Sequence, residues 1–158
     1  MRLVILTSDQ LRHKHFINSL AATNNVVGVV MESKNRDYAK KGEGTVYDRK
    51  IQKYFNQRQE SEEYYFKNNE NLNLSEDKIL RIEGGRLNDK SVYDKLIYWE
   101  PNYFAVFGSS LLGDRLINLL PAQRIINMHL GLSPYYRGSG TNFWALLNHY
   151  FENYTFQY

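Results

Sequence analysis

Cysteine is absent from the 158 residues of the chain. This absence excludes disulfide bonds and thiolate metal sites, and it fits a reducing compartment. Long apolar runs are lacking too, because none approaches the roughly 18 residues that a membrane-spanning helix needs. The amino terminus passes directly into a short apolar run without a cleavable signal pattern. We therefore expect a soluble cytoplasmic protein, and we assign it no metal site.

A large excess of either charge is also missing. The 20 Lys and Arg face 17 Asp and Glu, which leaves a net charge of +3 spread along the chain. This balance does not indicate nucleic-acid binding. With 42% hydrophobic content the chain is long enough to bury one core, so we expect a single domain over residues 1–158.

The stretch 1–31 predicts a strand, a helix and a second strand. Its first β-branched and aliphatic run ends in Thr7, Ser8 and Asp9, which are residue types that cap the amino termini of helices. Apolar positions between 10 and 22 then recur at helical spacing, and 26–31 is continuously apolar, as strands inside parallel sheets are. This order predicts a βαβ unit with a right-handed crossover.

The composition changes between Glu32 and Ser75 to Lys, Arg, Glu, Asn and Tyr, with hardly any aliphatic residue before Leu72. We expect this segment, 32–75, to lie outside the core as a polar helical insertion with an amphipathic helix over 46–67. One interpretation is a solvated helix, because charged runs usually form wet faces. The other is an element that binds a partner or covers the substrate.

Three further strands are predicted after this segment, at 78–82, 103–107 and 124–127. Helices over 91–99 and 114–120 separate them, and the prolines at 101 and 121 end these helices. Short helical connections between strands are typical of proteins with a mostly parallel sheet covered by helices on both faces. We therefore predict an α/β fold of the Rossmann-like kind.

The stretch from Asn127 to Gly138, NMHLGLSPYYRG, is the most informative part of the sequence for chemistry. Asn127 and His129 lie two residues apart at a strand end, where side chains at this spacing project from the same face. In open α/β sheets, ligands bind beyond the carboxyl ends of the strands. The alternative is that both residues have structural roles, with Asn127 forming a turn and His129 buried with its hydrogen bonds made inside the protein. Taken without their neighbours, the two residues favour this alternative.

The same stretch resembles the folate-dependent formyltransferases, which act on glycinamide ribonucleotide, methionyl-tRNA or amino sugars. The resemblance rests on Asn-x-His at 127–129, followed at matching offsets by Pro134, Tyr136 or its neighbour, Arg137 and Gly138. A predicted helix with Phe-Trp-Ala-Leu at 143–146 follows. The order of elements extends the resemblance over the whole chain and implies the fold of the formyltransferase catalytic domain.

The resemblance implies formyl transfer from N10-formyltetrahydrofolate, a cosubstrate, to an amine. Asn127 would donate hydrogen bonds to the oxyanion, and His129 would move protons and, when protonated, stabilise that charge. In the family, backbone groups of the loop after the preceding strand hold the pterin ring. The residues in that place are Phe107, Gly108, Ser109, Ser110, Leu111 and Leu112. An ordinary strand-to-helix turn capped by Ser is the alternative for this loop.

Four residues are predicted to bind the acceptor substrate. Arg12 and His13 lie near the start of the first helix, where a phosphate of a nucleotide-linked substrate can bind. Arg137, with Gly138 beside it, is a similar candidate for an anionic group. For the first pair the alternative is a solvated surface. Residues 132–144 look more like the sugar-modifying members of the family than like the purine or tRNA enzymes. We therefore expect a small-molecule acceptor, a nucleotide-linked amino sugar. We leave a homodimer open.

One departure concerns the family's third catalytic residue, an Asp that orients the His from a loop beyond the next strand. Residues 152–158 look like the approach to that strand, and no earlier carboxylate stands at a matching position. We therefore expect a catalytic core cut short before this Asp and impaired or inactive. Two alternatives stay open: a non-catalytic remnant that binds folate, a nucleotide or a partner, and a formyltetrahydrofolate hydrolase that uses the same Asn and His.

Overall fold

A computed structural model of the chain describes residues 1–34, 46–132, 134–138, 141 and 148. The chain divides into two compact units, Met1–Ile126 and Asn127–Tyr158. The predicted helix at 143–146 and the strand approach at 152–158 lie outside the described residues. No helix of the described part has both the length and the apolar character needed to cross a membrane.

Strands and helices follow one another in the predicted order. The strands are β1 (Leu3–Ser8), β2 (Val26–Glu32), β3 (Ile79–Ile82), β4 (Tyr103–Phe107) and β5 (Ile125–Asn127). The helices are α1 (Leu11–Thr23), α2 (Val46–Phe66), α3 (Lys90–Trp99) and α4 (Asp114–Ile117). Helix α4 is shorter than predicted, since it ends at Ile117 and not at Leu120.

The sheet has the strand order β3-β2-β1-β4-β5. Strand β1 pairs in parallel with β2 and with β4, and β2 pairs in parallel with β3. The predicted α/β fold with a parallel sheet is therefore confirmed. The chain first builds outward from β1 through β2 to β3 and then returns to the other side of β1. The switch point of the sheet thus lies between β1 and β4, where folds of this kind bind ligands at the carboxyl ends of the strands.

Successive residues of β1 alternate between two hydrophobic clusters, one on each face of the sheet. Val4 and Leu6 pack in a cluster with buried residues of α3 and α4. Leu3 and Ile5 pack in the other cluster with Ile17 of α1. Because side chains alternate along a strand, this pattern places helices on both faces, as the sequence predicted.

The end of α3 is fixed by contacts with the beginning of the chain and with β2. The Arg2 guanidinium donates hydrogen bonds to the carbonyl oxygens of Trp99 at 2.7 Å and Glu100 at 3.0 Å. The Trp99 ring is buried against Gly28 of β2, where any Cβ would overlap it. These contacts satisfy terminal carbonyls of a helix that has to stop before Pro101.

Helix α2 confirms the predicted helix to within one residue at its carboxyl end. It packs on α1, where Glu62 forms an ion pair with Arg12 and accepts a hydrogen bond from Arg58 at 3.2 Å. The expectation that the whole of 32–75 lies outside the core is wrong at both ends of the segment. Glu32 is only 1% exposed, and Leu72 packs against the cluster around α1. Its description as an insertion stays a prediction.

Candidate functional site

Two loops leave the switch point of the sheet, residues 9–10 after β1 and 108–113 after β4. Thr7 stands opposite Phe107 in the β1–β4 register, and its hydroxyl donates a hydrogen bond to the Phe107 carbonyl at 2.6 Å. This bond joins the two strand ends side by side. Both loops belong to the unit Met1–Ile126, and together they form the candidate site of that unit.

The capping residue types at 7–9 do not cap α1, so this part of the sequence-based interpretation is wrong. The helix begins without a side-chain cap. Ser8 Oγ is hydrogen-bonded to His13 Nδ1, and the Asp9 carboxylate accepts a hydrogen bond from the Lys34 backbone amide at 3.3 Å. Neither side-chain oxygen is therefore bonded to a backbone amide of the first helical turn, as a cap would be. These residues therefore bind neighbouring elements together.

His13 lies inside the fold, although the sequence predicted that it faces the substrate. Its side chain is buried, and its ring stands edge-on to that of Phe107 with the centroids 4.7 Å apart. Burial, and then the positive charges of Arg12, Lys34 and Arg58, lower the pKa of His13 to about 3. The imidazole is consequently neutral at pH 7 and cannot form an ion pair with a phosphate. Any contact between His13 and an anionic substrate has to be a hydrogen bond.

Arg12, another predicted substrate-binding residue, belongs to a small charged cluster at the start of α1. It shares the Glu62 carboxylate with Arg58, whose guanidinium also donates to the side-chain oxygen of Gln10 at 3.4 Å. Two guanidinium groups around one carboxylate leave a net positive charge on these three side chains. Guanidinium groups are also the usual partners of carboxylate and phosphate groups in proteins.

Gly108 opens the second loop in a conformation that other residues rarely adopt. Its φ is +68°, in the left-handed region, and a Cβ at this position would stand 2.5 Å from Nε2 of His13. Glycine is therefore required here both for the backbone conformation and for space. The small residue that the sequence suggested for the folate loop thus lies directly over the buried histidine.

Glu32 also touches this loop, and sequence reasoning missed it. The carboxylate accepts hydrogen bonds from the Ser110 amide at 2.7 Å, the Ser110 hydroxyl at 2.6 Å and the Gly85 amide at 2.6 Å. The sequence signal was present, because a carboxylate directly after a continuously apolar strand is unusual. Glu32 is also the first residue of the polar segment 32–75, and the charged composition of that segment hides the signal.

The rest of the loop is held by Asn88, which precedes α3. Its side-chain nitrogen donates to the Leu111 carbonyl at 2.9 Å, and its side-chain oxygen accepts from the Gly113 amide at 2.6 Å. Ser109 Oγ donates to the Ser110 carbonyl at 3.0 Å, and Ser110 Oγ binds the Glu32 carboxylate. Helix α4 has no side-chain cap, so the Ser cap in the alternative is wrong, while an ordinary strand-to-helix turn stays possible for this loop. Folate binding by 107–112 stays a prediction.

The second unit, Asn127–Tyr158, contains the predicted catalytic pair. Asn127 and His129 are both exposed, which excludes the alternative of a buried histidine. Nε2 of His129 lies 2.6 Å from the carbonyl oxygen of Tyr136. Because a carbonyl can only accept, this nitrogen carries the proton, and Nδ1 of the neutral ring keeps its lone pair. The loop thus sets the tautomer of His129.

The described residues at 131–132 and 134–138 fold back on one another within this unit. A Cβ on Gly131 would stand 2.6 Å from the Cβ atoms of Tyr136 and Thr141. The Tyr136 amide donates to the Leu132 carbonyl at 3.0 Å. Arg137 and Gly138 are exposed, and Gly138 has a φ of +85°. The predicted residues Asn127, His129, Arg137 and Gly138 belong to the second unit, one group by position in the chain, and Arg12, His13 and 107–112 are the group in the first unit.

A cavity of about 390 Å³ lies at the amino ends of the strands and is lined by none of the predicted site residues. Its cationic side chains already have partners. Lys78 donates to the Val26 carbonyl at 3.1 Å, and Lys95 lies over the rings of Tyr98 and Trp99. These contacts give Lys78 and Lys95 a structural role in the fold.

No protein-family model matches the sequence, and no curated protein matches it either. Solved structures do match the fold. Phosphoribosylglycinamide formyltransferase from Anaplasma phagocytophilum superposes with a TM-score of 0.55 at 12% identity, covering 94% of this chain and 58% of that one. The chain has a formyltransferase-like fold.

Two glycinamide ribonucleotide transformylases share this formyltransferase-like fold. The enzyme from Geobacillus kaustophilus has a TM-score of 0.50 at 14% identity, with 93% of this chain and 67% of that chain covered. The one from Symbiobacterium toebii has a TM-score of 0.51 at 14% identity, with 94% and 60% covered. The fold implied by the sequence resemblance is therefore confirmed. The chain spans about three fifths of the length of these structures.

Proposed function

We propose that the protein transfers a formyl group from N10-formyltetrahydrofolate to the amine of a small molecule. The observation that carries this proposal is the pair of Asn127 and His129, which is exposed at the carboxyl end of β5 in a chain with a formyltransferase-like fold. Carboxyl ends of parallel strands are where such folds bind ligands.

The residue types of the pair suit the bond changes of formyl transfer. The amine nitrogen forms a bond to the formyl carbon, and the carbonyl oxygen becomes an oxyanion to which the Asn127 carboxamide donates a hydrogen bond. The amine then loses a proton, the oxyanion re-forms the carbonyl as the bond between the formyl carbon and N10 breaks, and the departing N10 nitrogen gains a proton. His129 can carry that proton at Nδ1, because its Nε2 proton is directed to the Tyr136 carbonyl.

The loop over 107–112 is the proposed site of the pterin ring. Backbone recognition requires a loop whose peptide groups are already fixed before the ligand arrives. Support comes from Gly108, whose conformation and packing on His13 leave the loop little freedom, and from the bonds that Glu32 and Asn88 make to it. These contacts support a preformed ligand loop.

A nucleotide-linked amino sugar is the acceptor that we propose. Its phosphates would meet the guanidinium groups of Arg12 and Arg58 near the start of α1. Arg137, in the second unit, is a separate exposed candidate for an anionic group. A cytoplasmic location and a homodimer belong to the same proposal. Because the chain spans 58–67% of the length of the similar structures, we expect weak activity from these 158 residues alone.

The test is formyl transfer measured by mass spectrometry on a panel of nucleotide-linked amino sugars, with glycinamide ribonucleotide as a second acceptor. Formyl product that appears only with an amine supports the transferase. Release of formate without any amine would identify a hydrolase instead. Turnover close to that of a glycinamide ribonucleotide transformylase would contradict the expected impairment, and failure to bind 5-formyltetrahydrofolate in calorimetry would refute folate chemistry altogether.

A further inference from the structure

Glu32 is a buried ionisable residue to which the proposed chemistry gives no role. It ends β2, its side chain is 1% exposed, and it stands opposite Ser8 in the sheet. A carboxylate is costly to bury unless hydrogen-bond donors compensate the loss of water. The burial of Glu32 therefore requires hydrogen-bond donors placed around its carboxylate.

The partners of Glu32 come from two different loops. The Ser110 amide and hydroxyl belong to the loop after β4, and the Gly85 amide belongs to the loop after β3. The three donors are uncharged, and two of them are backbone groups. An ionised carboxylate only accepts hydrogen bonds, so it can receive all three at once, and bonds to an ionised acceptor are stronger than those between neutral groups. Glu32 thus acts on the backbone conformation of both loops.

Asn88 completes this arrangement from the other end of the loop. Its amide group binds the Leu111 carbonyl and the Gly113 amide, at 2.9 Å and 2.6 Å. The backbone between Ser110 and Gly113 is therefore held at three points by two side chains that are distant in sequence. The Ser110 hydroxyl is directed to Glu32, so it is already engaged within the protein.

We infer that Glu32 is a positioning residue for the pterin ring: it fixes the 108–113 loop in the conformation that receives folate. The inference rests on the proposed function, because it assumes that this loop binds the cosubstrate. It adds a residue from β2, outside both groups of predicted site residues.

The most direct variant is Glu32→Gln, which keeps the shape of the side chain but replaces one acceptor oxygen by a donor. That NH2 group must face one of the three donors, so at least one hydrogen bond to the loops is lost and two donors are set against each other. We expect 5-formyltetrahydrofolate to bind about tenfold more weakly, or worse. Ser110→Ala removes one bond and keeps the amide contact, so its effect should be smaller.

Asn18→Asp is the matched control. Asn18 is also buried, and it binds the chain after α2 by donating to the Asn71 carbonyl and accepting from the Asn73 amide, both at 2.9 Å. The replacement is isosteric and also sets two like groups against each other. It should lower the thermal stability without changing the folate Kd, because none of these contacts touches the 108–113 loop.

The experiment titrates 5-formyltetrahydrofolate into the full chain and its three variants by calorimetry, with circular dichroism to confirm folding. Hydrogen exchange of the 108–113 amides provides a second readout, which Glu32→Gln should accelerate and Asn18→Asp should not. If Glu32→Gln binds within about twofold of the unmodified chain, the positioning role is refuted while the proposed function stands. If the unmodified chain binds no folate, both are refuted. If Glu32→Gln does not fold, Ser110→Ala decides, and an unchanged Kd for it refutes the inference.

Discussion

Replacing Gly108 by alanine tests how closely the loop after β4 packs on α1. The backbone of Gly108 is left-handed, with a φ of +68°, and the added Cβ would stand 2.5 Å from His13 Nε2. His13 cannot easily rotate away, because its Nδ1 is bonded to Ser8 and its ring packs edge-on against Phe107. Alanine therefore meets both a conformational penalty and a steric one.

The two penalties can be estimated separately. A left-handed conformation costs a residue with a Cβ about 1–2 kcal/mol. Overpacking of a close-packed site typically costs about 1–3 kcal/mol more. Gly108→Ala should thus lower the free energy of unfolding by about 2–5 kcal/mol, which for a chain of this size lowers Tm by at least about 4 °C.

The assay is urea unfolding followed by circular dichroism, with Gly85→Ala as the matched control. Gly85 has a φ of +83°, but a Cβ there would have no neighbour within 4 Å. It should therefore show the conformational penalty alone. In a double-mutant cycle, His13→Ala should relieve the excess cost of Gly108→Ala. If Gly108→Ala is no more destabilising than Gly85→Ala, the close packing of His13 under this loop is refuted.

Three further predictions concern pH, the α3 interface and catalysis. Because the folded-state pKa of His13 is about 3, below its ordinary value of 6.5, the unfolded chain binds more protons between these values. The contribution of neutral His13 to the free energy of unfolding should be fully present above pH 6.5 and should fall below that pH by up to about 1.4 kcal/mol per pH unit. Urea titrations at pH 7 and 5 should show this loss, and the loss should disappear in His13→Asn. Gly28→Ala should destabilise by about 1–3 kcal/mol through overlap with Trp99, and Trp99→Leu should make it less harmful; additive effects in thermal unfolding would contradict the packing. His129→Asn should reduce the rate of formyl transfer by about 10²–10⁴-fold, and Asn127→Ala should reduce it by about 10²–10³-fold. The folate Kd measured by calorimetry should not change in either variant. Unchanged rates would exclude the pair from catalysis.

The strands could be predicted from sequence because burial on both faces of a parallel sheet leaves a continuous apolar run. Residues 26–31 and 103–107 show this pattern, and the observed strands Val26–Glu32 and Tyr103–Phe107 match it closely. Helix ends were also accessible where a proline enforces them, as Pro101 does after α3. These signals are local, so a single sequence contains them.

The contacts of the candidate site were not accessible in this way. Ser8 and Asp9 are residue types that cap helices, but the side chain of each is hydrogen-bonded to a residue that the sequence alone does not place beside it. Nothing local distinguishes a capping Ser from one that binds a buried His13. Glu32 differs in that its position after an apolar strand was a visible signal, while its partners 53 and 78 residues away were not.

The two groups of predicted site residues are held in place by different kinds of contact, and this determines how substitutions should act. In the first unit, the 108–113 loop depends on Glu32 and His13, which come from elements far away in sequence. Loss of such a contact exposes or strains buried groups, so stability and ligand affinity should fall together. His129 depends instead on Tyr136, seven residues away. Its replacement leaves no buried group unpaired, since the side chain is exposed, and should reduce the rate while leaving stability nearly unchanged.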